Sequence, residues 1–502
     1  MSWFLVAPVV LPLLTATALF LLRDRLESQR VLSTASAALG LIAAIVLLGR
    51  VSQHGIQVVQ FGDWSAPFGI SFVADHLSAI MVVISGVMAT AVAVYALRDI
   101  DEARERLGYH PVFHVLLAGI NGAFLTGDLF NLYVWFEVLL ISSFVLLTLG
   151  NRREQLEGGV KYVAVNLVSS LIFLAATGLV YGTTGTLNMA DLAVKLPQAD
   201  PALVVTLSML FLVAFGIKAA VFPLFFWLPD SYPTAPSPVS AIFAGMLTKV
   251  GVYALIRSFT LLFVGDVALT HTILLWIAGF TMLTGVLGAA AQNEFRKILS
   301  FHIISQIGYM ILGLALYTPL GLMGAVFYLV HHIVVKGNLF LVAGIARATG
   351  GSFELAKLGG LYRHRPVLAV LFLIPAFSLA GFPPLSGFWA KLVILQAGLE
   401  AQEWFFVALA LVVGLLTIYS MTKIFQAAFW SPAPEGTTLR ADVPKLLYAP
   451  VIGLAAVTLV IGFWSGPFIA LAQAAASELL NPAAYVGAVL GPEAAALIGG
   501  PR

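Results

Sequence analysis

Residues Gly216–Arg257 read GIKAAVFPLFFWLPDSYPTAPSPVSAIFAGMLTKVGVYALIR. Two apolar segments flank a proline-rich junction, and each holds one lysine deep within it, Lys218 and Lys249. A lysine at bilayer depth costs at least about 2.5–3.5 kcal/mol on insertion scales. A chain that carries this cost twice in so short a stretch has a use for the charge. Pro223 follows Lys218 closely and breaks the helical ladder, freeing backbone groups. Inside a membrane such breaks persist only where protein or water satisfies those groups. Lysine, break and second lysine together predict a polar path within the bilayer.

Composition agrees. Of 502 residues, 60% are hydrophobic and only 10% charged, against about 25% charged in soluble domains. The chain therefore reads as an all-α polytopic membrane protein. Its net charge of +2 is too small to suggest a nucleic-acid partner. The absence of cysteine excludes disulfides, thiolate metal sites and Cys-ligated iron–sulfur clusters. No His/Glu spacing suggests a metal site, no glycine-rich phosphate loop follows a strand pattern, and no cofactor is expected. Met1 to Leu22 lacks a basic leader and reads as a first spanning helix rather than a signal peptide.

About fourteen segments reach the roughly 20 mostly apolar residues that a span requires. They are 3–22, 31–50, 74–97, 109–126, 129–149, 160–182, 202–228, 237–259, 269–290, 298–317, 319–346, 366–398, 404–430 and 445–472. The seventh, with Pro223, and the twelfth, with Pro383 and Pro384 inside GFPPLSG, read as broken helices. The tail from Gln473 onward is expected to be interfacial or loosely packed.

Basic residues set the orientation. Alternate connections carry Arg23, Arg25 and Arg30; Arg98, Arg104 and Arg106; Arg152, Arg153 and Lys161; Arg296 and Lys297; Arg347, Lys357, Arg363 and Arg365; Arg440 and Lys445. The other side has only Arg50, Lys195, Arg257 and Arg502. The first set is therefore expected to be cytoplasmic, with both termini outside.

A faint repeat links the two breaks. Phe222-Pro223-Leu224 with Trp227 resembles Phe382-Pro383-Pro384-Leu385 with Trp389, each beside a lysine, Lys218 and Lys391. Interrupted helices at corresponding places in two halves mark transport sites. Segments 4–8 and 9–13 are the two candidate units. The chain then divides into 1–108, 109–259, 260–430 and 431–502.

Lys218, Lys249, Lys336 and Lys391 are the mid-membrane cations, and Glu137 the acid well inside a span. For Glu137 the plainer reading is an ion pair that locks two helices. The functional one makes it the partner of Lys218: paired, the carboxylate holds the ammonium charged, and parted, the proton can move on. Lys249 could simply be satisfied by Thr248 and carbonyls. His332 and Lys336, four apart, share a helix face, and histidine suits a relay, though a satisfied core histidine is nearly as common. His331 and His302 are accessory candidates. Lys391 reads as the terminal proton carrier. Asp230 is either an accessory acid or a helix-end cap, Asp75 and His76 mark the interface, and Lys423 snorkels.

The segment PLFFWLPDSYPTAPSPVSAIFAGMLTKVGVYALIR, with Glu137 upstream and VHHIVVKGNLFL and GFPPLSGFWAKL downstream, resembles the antiporter-like subunits. This family is shared by proton-pumping NADH:quinone oxidoreductase (complex I) and Mrp-type multisubunit cation/proton antiporters. LPDSY, TGTLNMADL and the fourteen-segment length without a long C-terminal lateral helix favour the Mrp branch, and its D-type subunits within that branch. The resemblance implies fourteen helices with two inverted five-helix repeats. It also implies a glutamate–lysine pair matching Glu137 and Lys218, a central lysine matching Lys249 and a terminal charge matching Lys391. Gln306 stands where one complex I relative has a relay histidine, so the path from Lys249 to Lys391 is expected to use His332 and Lys336.

The expected function is proton translocation within a hetero-oligomeric cation (Na+)/proton antiporter of the bacterial plasma membrane. Its partners would be other subunits, lipid, protons and Na+, and it would not be an enzyme. A complex I subunit is the first rival, and a solitary solute carrier is the second.

Overall fold

Acidic and hydroxyl residues punctuate the apolar runs, and helices start on them because such side chains satisfy free N–H groups at a helix N-terminus. The computed structural model describes residues 3–436 and 439–498, so Arg502 lies outside the described residues. After α1 (Trp3–Leu21) and α2 (Leu26–His54), Asp75 caps α3 (His76–Asp99) through Ser78 N at 2.9 Å. Next come α4 (Tyr109–Leu125) and α5 (Leu129–Thr148), which Asp128 caps through Asn131 N at 2.8 Å. Further on are α6 (Arg153–Thr184) and α7 (Pro201–Ala219), the latter capped by Asp200. They are followed by α8 (Ser237–Leu261), α9 (Val267–Ala291), α10 (Phe295–Ala315) and α11 (Pro319–Gly350). The twelfth segment is two helices, α12 (Pro366–Ala380) and α13 (Ser386–Glu400). The chain then runs through α14 (Trp404–Trp430) and α15 (Lys445–Phe463).

Twelve helices among the described residues are long and apolar enough to cross a membrane, which makes this a multi-pass membrane protein. Two departures from the sequence reading concern small elements. A hairpin pairs Gln57–Gln60 antiparallel with Ser71–Ala74 between α2 and α3, so the fold is helical but not wholly so. The segment expected to span 445–472 ends at Phe463, and the chain turns into α16 (Gly466–Leu479) and α17 (Pro482–Leu490). This tail is packed, not loose: Leu479, Tyr485 and Val486 are buried, and Glu478 accepts bonds from His76 N (2.8 Å) and from His76 Nδ1 (2.7 Å).

The core sits around α8, α10 and α11. α8 and α11 are enclosed by protein along their whole apolar length and α10 nearly so, whereas α1, α2 and α6 leave most of theirs outward. Two matching bridges tie helix starts to later connections, Asp128 to Asn188 and Glu294 to Glu354. The same amide–carbonyl bond accompanies each, Leu129 N to Leu187 O and Phe295 N to Phe353 O, both 2.9 Å. Basic connections gather at one end of the bundle, where Arg104 Nε reaches Leu149 O (3.1 Å) and Arg296 reaches Ala235 O (2.8 Å).

Candidate functional site

The first break forms where α7 stops at Ala219 and Ala220 turns left-handed, with helix resuming only at Trp227. Pro223 lies in the gap. The freed backbone finds partners at depth: Phe222 N donates to Thr281 Oγ1 of α9 (2.9 Å), and Trp227 Nε1 donates to Ile217 O (3.1 Å). Lys218 occupies the last turn before the gap, where the negative end of the helix dipole favours a cation. Its ammonium donates to Asn166 O (3.3 Å) and Ser170 Oγ (3.2 Å) of α6 and stands 5.5 Å from the Phe136 ring centre. Gly251 of α8 presses on this point. A Cβ there would sit 2.5 Å from Ala219 N and 2.8 Å from the Lys218 carbonyl carbon, so only glycine lets α8 approach so near.

Lys249 follows a wide π-turn, Phe243–Leu247, a feature frequent at functional sites. It is fully buried, and its ammonium donates to Ala244 O (2.6 Å) and Thr248 Oγ1 (3.2 Å). Across from it, α11 carries His332 and Lys336, both within electrostatic reach of Lys249. Lys336 donates to Leu299 O of α10 at 3.0 Å. Both ring nitrogens of His332 and of His302 are buried without a partner. His302 and His331 each lie within electrostatic reach of both Lys336 and Lys391. Gln306 instead accepts a short bond from Tyr328 OH.

The second break surrounds Lys391. α12 ends at Ala380, Gly381 is left-handed, and Pro383 and Pro384 occupy the gap before α13. The Ala380 carbonyl, left free by the break, receives the Lys391 ammonium at 2.9 Å, and the Tyr309 ring centre is 5.3 Å away. His331 Nδ1 lies 2.8 Å from Ser386 Oγ, which is 2.9 Å from Ser378 Oγ. A cavity of about 460 Å³ lined by Tyr309, Gly381, Lys391 and Gly414 reaches the ammonium. At the arginine-rich end, a polar cavity of about 340 Å³ touches Ser237, Arg296 and Arg347 at the start of α8.

The other candidates meet different surroundings. Glu137 is within electrostatic reach of Lys218, but among the described ion pairs none within 4.0 Å joins them, and Glu137 Oε1 is buried without a partner. Asp230 is half exposed and pairs with Lys161 Nζ at 2.7 Å, the same ammonium lying 3.6 Å from Glu157, so it stands apart from the buried lysines. Lys423 caps α9, donating to Ala290 O (3.1 Å) and Gln292 O (2.7 Å).

Sequence reasoning missed one strong constellation. Arg257, counted above as a loop cation, is 5% exposed and pairs with Asp75 Oδ2 at 2.6 Å. Ser78, Tyr253 and the Tyr485 ring surround it. An aspartate just before one span and an arginine late in another were the available signal, but nothing in the sequence says that the two ends meet.

The sequence model of the family described as NADH:quinone oxidoreductase/Mrp antiporter, TM matches residues 126–417. The D subunit of the Na(+)/H(+) antiporter from Alkalihalophilus pseudofirmus is 44% identical, over 98% of this chain and all of that one. Its counterpart of the same name from Bacillus subtilis is 41% identical with the same coverage. Among solved structures, a chain of the Mrp complex from Dietzia sp. DQ12-45-1b superposes with a TM-score of 0.91 at 34% identity, covering 98% of this chain and 100% of that one.

Proposed function

Because the chain belongs to the NADH:quinone oxidoreductase/Mrp antiporter transmembrane family, we propose that it is the proton-translocating subunit of a multisubunit Na+/H+ antiporter of the bacterial plasma membrane. Full-length relatives named as antiporter subunits favour this over a redox-driven pump. Lys218 and Glu137 form the coupling element. Lys249, His332, Lys336, His302, His331 and Lys391 form the relay, with water between them.

The observation that carries the reading is how the four buried lysines are satisfied. Lys218, Lys249, Lys336 and Lys391 are each buried, and each ammonium donates to carbonyl or hydroxyl oxygens. A carbonyl accepts from an ammonium and from a neutral amine alike, so a proton can leave without a new charge being stranded on the acceptor. A purely structural role would place a carboxylate against each cation, since unpaired buried charge is costly. Glu137 and Lys218, in reach but not in contact, stand in the parted arrangement of a switch, and the break after Ala219 is the hinge that would bring them together.

Fourteen helices in two inverted five-helix units, α4–α8 and α9–α14, complete the proposal. The matching bridges Asp128–Asn188 and Glu294–Glu354, with the same residue spacing, support the duplication. So do two breaks with a lysine beside each. The first unit is 109–259 and the second 260–430.

The test is Glu137→Ala in the complete complex, assayed as cation/proton exchange in everted vesicles. Exchange is expected to vanish while the subunits still co-purify. Normal exchange in the assembled variant would remove the pair from the mechanism, and co-purification with flavin and iron–sulfur subunits would move the chain to a redox pump.

A further inference from the structure

A second line of buried polar groups lies away from the lysines, in the packing of α1, α2, α3 and α4. It begins at Glu105, on the short helix Glu102–Arg106 between α3 and α4. That carboxylate is sealed from solvent and takes Arg30 of α2 through two bonds of 2.9 and 2.7 Å. Arg30 also reaches Glu27 at the surface. On its inner side Glu105 Oε1 lies 3.1 Å from His110 Nε2. One turn along α4, His114 Nε2 lies 3.0 Å from Ser33 Oγ and 3.2 Å from Ser33 O. Further on, Asn121 Nδ2 donates to Pro8 O at 2.8 Å, a carbonyl left free because Pro12, four residues later, has no N–H. His110, His114 and Asn121 share one face of α4 and span about 16 Å at 1.5 Å per residue.

A helix clamp accounts for the bonds just named. It does not account for the atoms left over: His110 Nδ1, His114 Nδ1, Asn121 Oδ1 and Ser85 Oγ are all buried without a partner. Buried polar atoms are nearly always satisfied by protein or by water. His114, Asn121, Ser85 and Ser36 line one cavity of about 20 Å³, room for about one water, which needs two to four polar partners. The cavity offers them.

We propose that Glu105, His110 and His114 form a second proton-entry file, leading from the arginine-rich end of the bundle to a water held among Ser36, Ser85 and Asn121. Each imidazole takes a proton at one ring nitrogen and releases one from the other, so charge and atoms balance at every hop. His110 and His114, four residues apart on α4, stand one above the other, about 6 Å apart along the axis. At the inner end, Met88 of α3, one turn from Ser85, packs between α3 and α11, its methyl carbon 2.1 Å from where a Cβ at Gly337, the residue after Lys336, would sit. A thioether with three rotatable bonds is a movable barrier.

The file rests on the chain being a proton carrier, and its test is separable from that reading. His114→Gln keeps a hydrogen bond to Ser33 but cannot carry a proton, while His114→Ala removes both. In the complete complex in everted vesicles, both are expected to slow exchange about tenfold or more, with the complex intact and added imidazole restoring the alanine variant. A glutamine variant that exchanges at the parent rate would make His114 a structural residue and overturn the file. Asn121→Leu, which fills the cavity with carbon, is expected to slow exchange likewise, and a parent-like rate there would also overturn it. Glu137→Ala inactive with His114→Gln fully active would leave the lysine row standing and the file refuted.

Discussion

Removing the charge of Asp75 isolates the worth of the buried pair at the end of the bundle opposite the arginine cluster. Asp75→Asn keeps the cap on Ser78 N, since asparagine caps as well as aspartate, and changes only the 2.6 Å partner of Arg257. The guanidinium then retains Ser78 Oγ at 3.3 Å and Tyr253 OH at 3.4 Å, both neutral and both long. Stranding one member of a buried pair costs about 3–5 kcal/mol, and Asp75→Ala adds about 1 kcal/mol for the lost cap. Thermal melting of the purified complex at a fixed scan rate should fall by several degrees in Asp75→Asn and further in Asp75→Ala. Arg257→Met in the same background should recover most of the loss, because neighbours that share an interaction couple by about 0.5–3 kcal/mol. Melting unchanged in Asp75→Asn, or a double variant that loses the sum of both singles, would refute the coupling.

Two further outcomes follow from the geometry. Gly251→Ala drives a Cβ into the Ala219 and Lys218 backbone; it should cost about 1–3 kcal/mol in overpacking and depress exchange with the complex assembled, and parent-like exchange would show that the approach of α8 to the break is dispensable. Burial raises the Asp128 carboxyl from 3.8 to about 6. Between those values the folded chain holds the proton more tightly than the unfolded one, so this group's contribution falls as pH rises from about 4 to 6 and stays unfavourable above. Asp128→Asn keeps the cap and should melt above the parent at pH 7.5, by no more than about 2–3 kcal/mol, with the gain gone near pH 4. Equal melting at pH 7.5 would count against it.

Much of the site was legible because charge in hydrocarbon is conspicuous. Lys218, Lys249, Lys336 and Lys391 stand out from apolar runs, and Pro223 and Pro383–Pro384 announce the breaks beside two of them. The acids were harder. Asp75 sits at the edge of an apolar run and Glu105 outside any, so their burial comes from what packs over them, Arg257 with the Tyr485 ring for Asp75 and Arg30 of α2 for Glu105. Asp230, open in sequence between accessory acid and helix-end cap, is half exposed and turned outward to Lys161 by the short helix Trp227–Ser231.

Local chemistry along the chain was enough to determine the membrane class, the approximate spans and the four mid-membrane lysines, since each depends on a residue and its near neighbours in sequence. Which groups meet depends on contacts between distant segments. That Glu137 makes no ion pair with Lys218 within 4.0 Å, that His302 is buried within reach of Lys336 and Lys391, and that Arg257 is buried against Asp75 are consequences of how distant helices pack. No periodicity encodes them, because a helix face records only that it is buried and not what buries it.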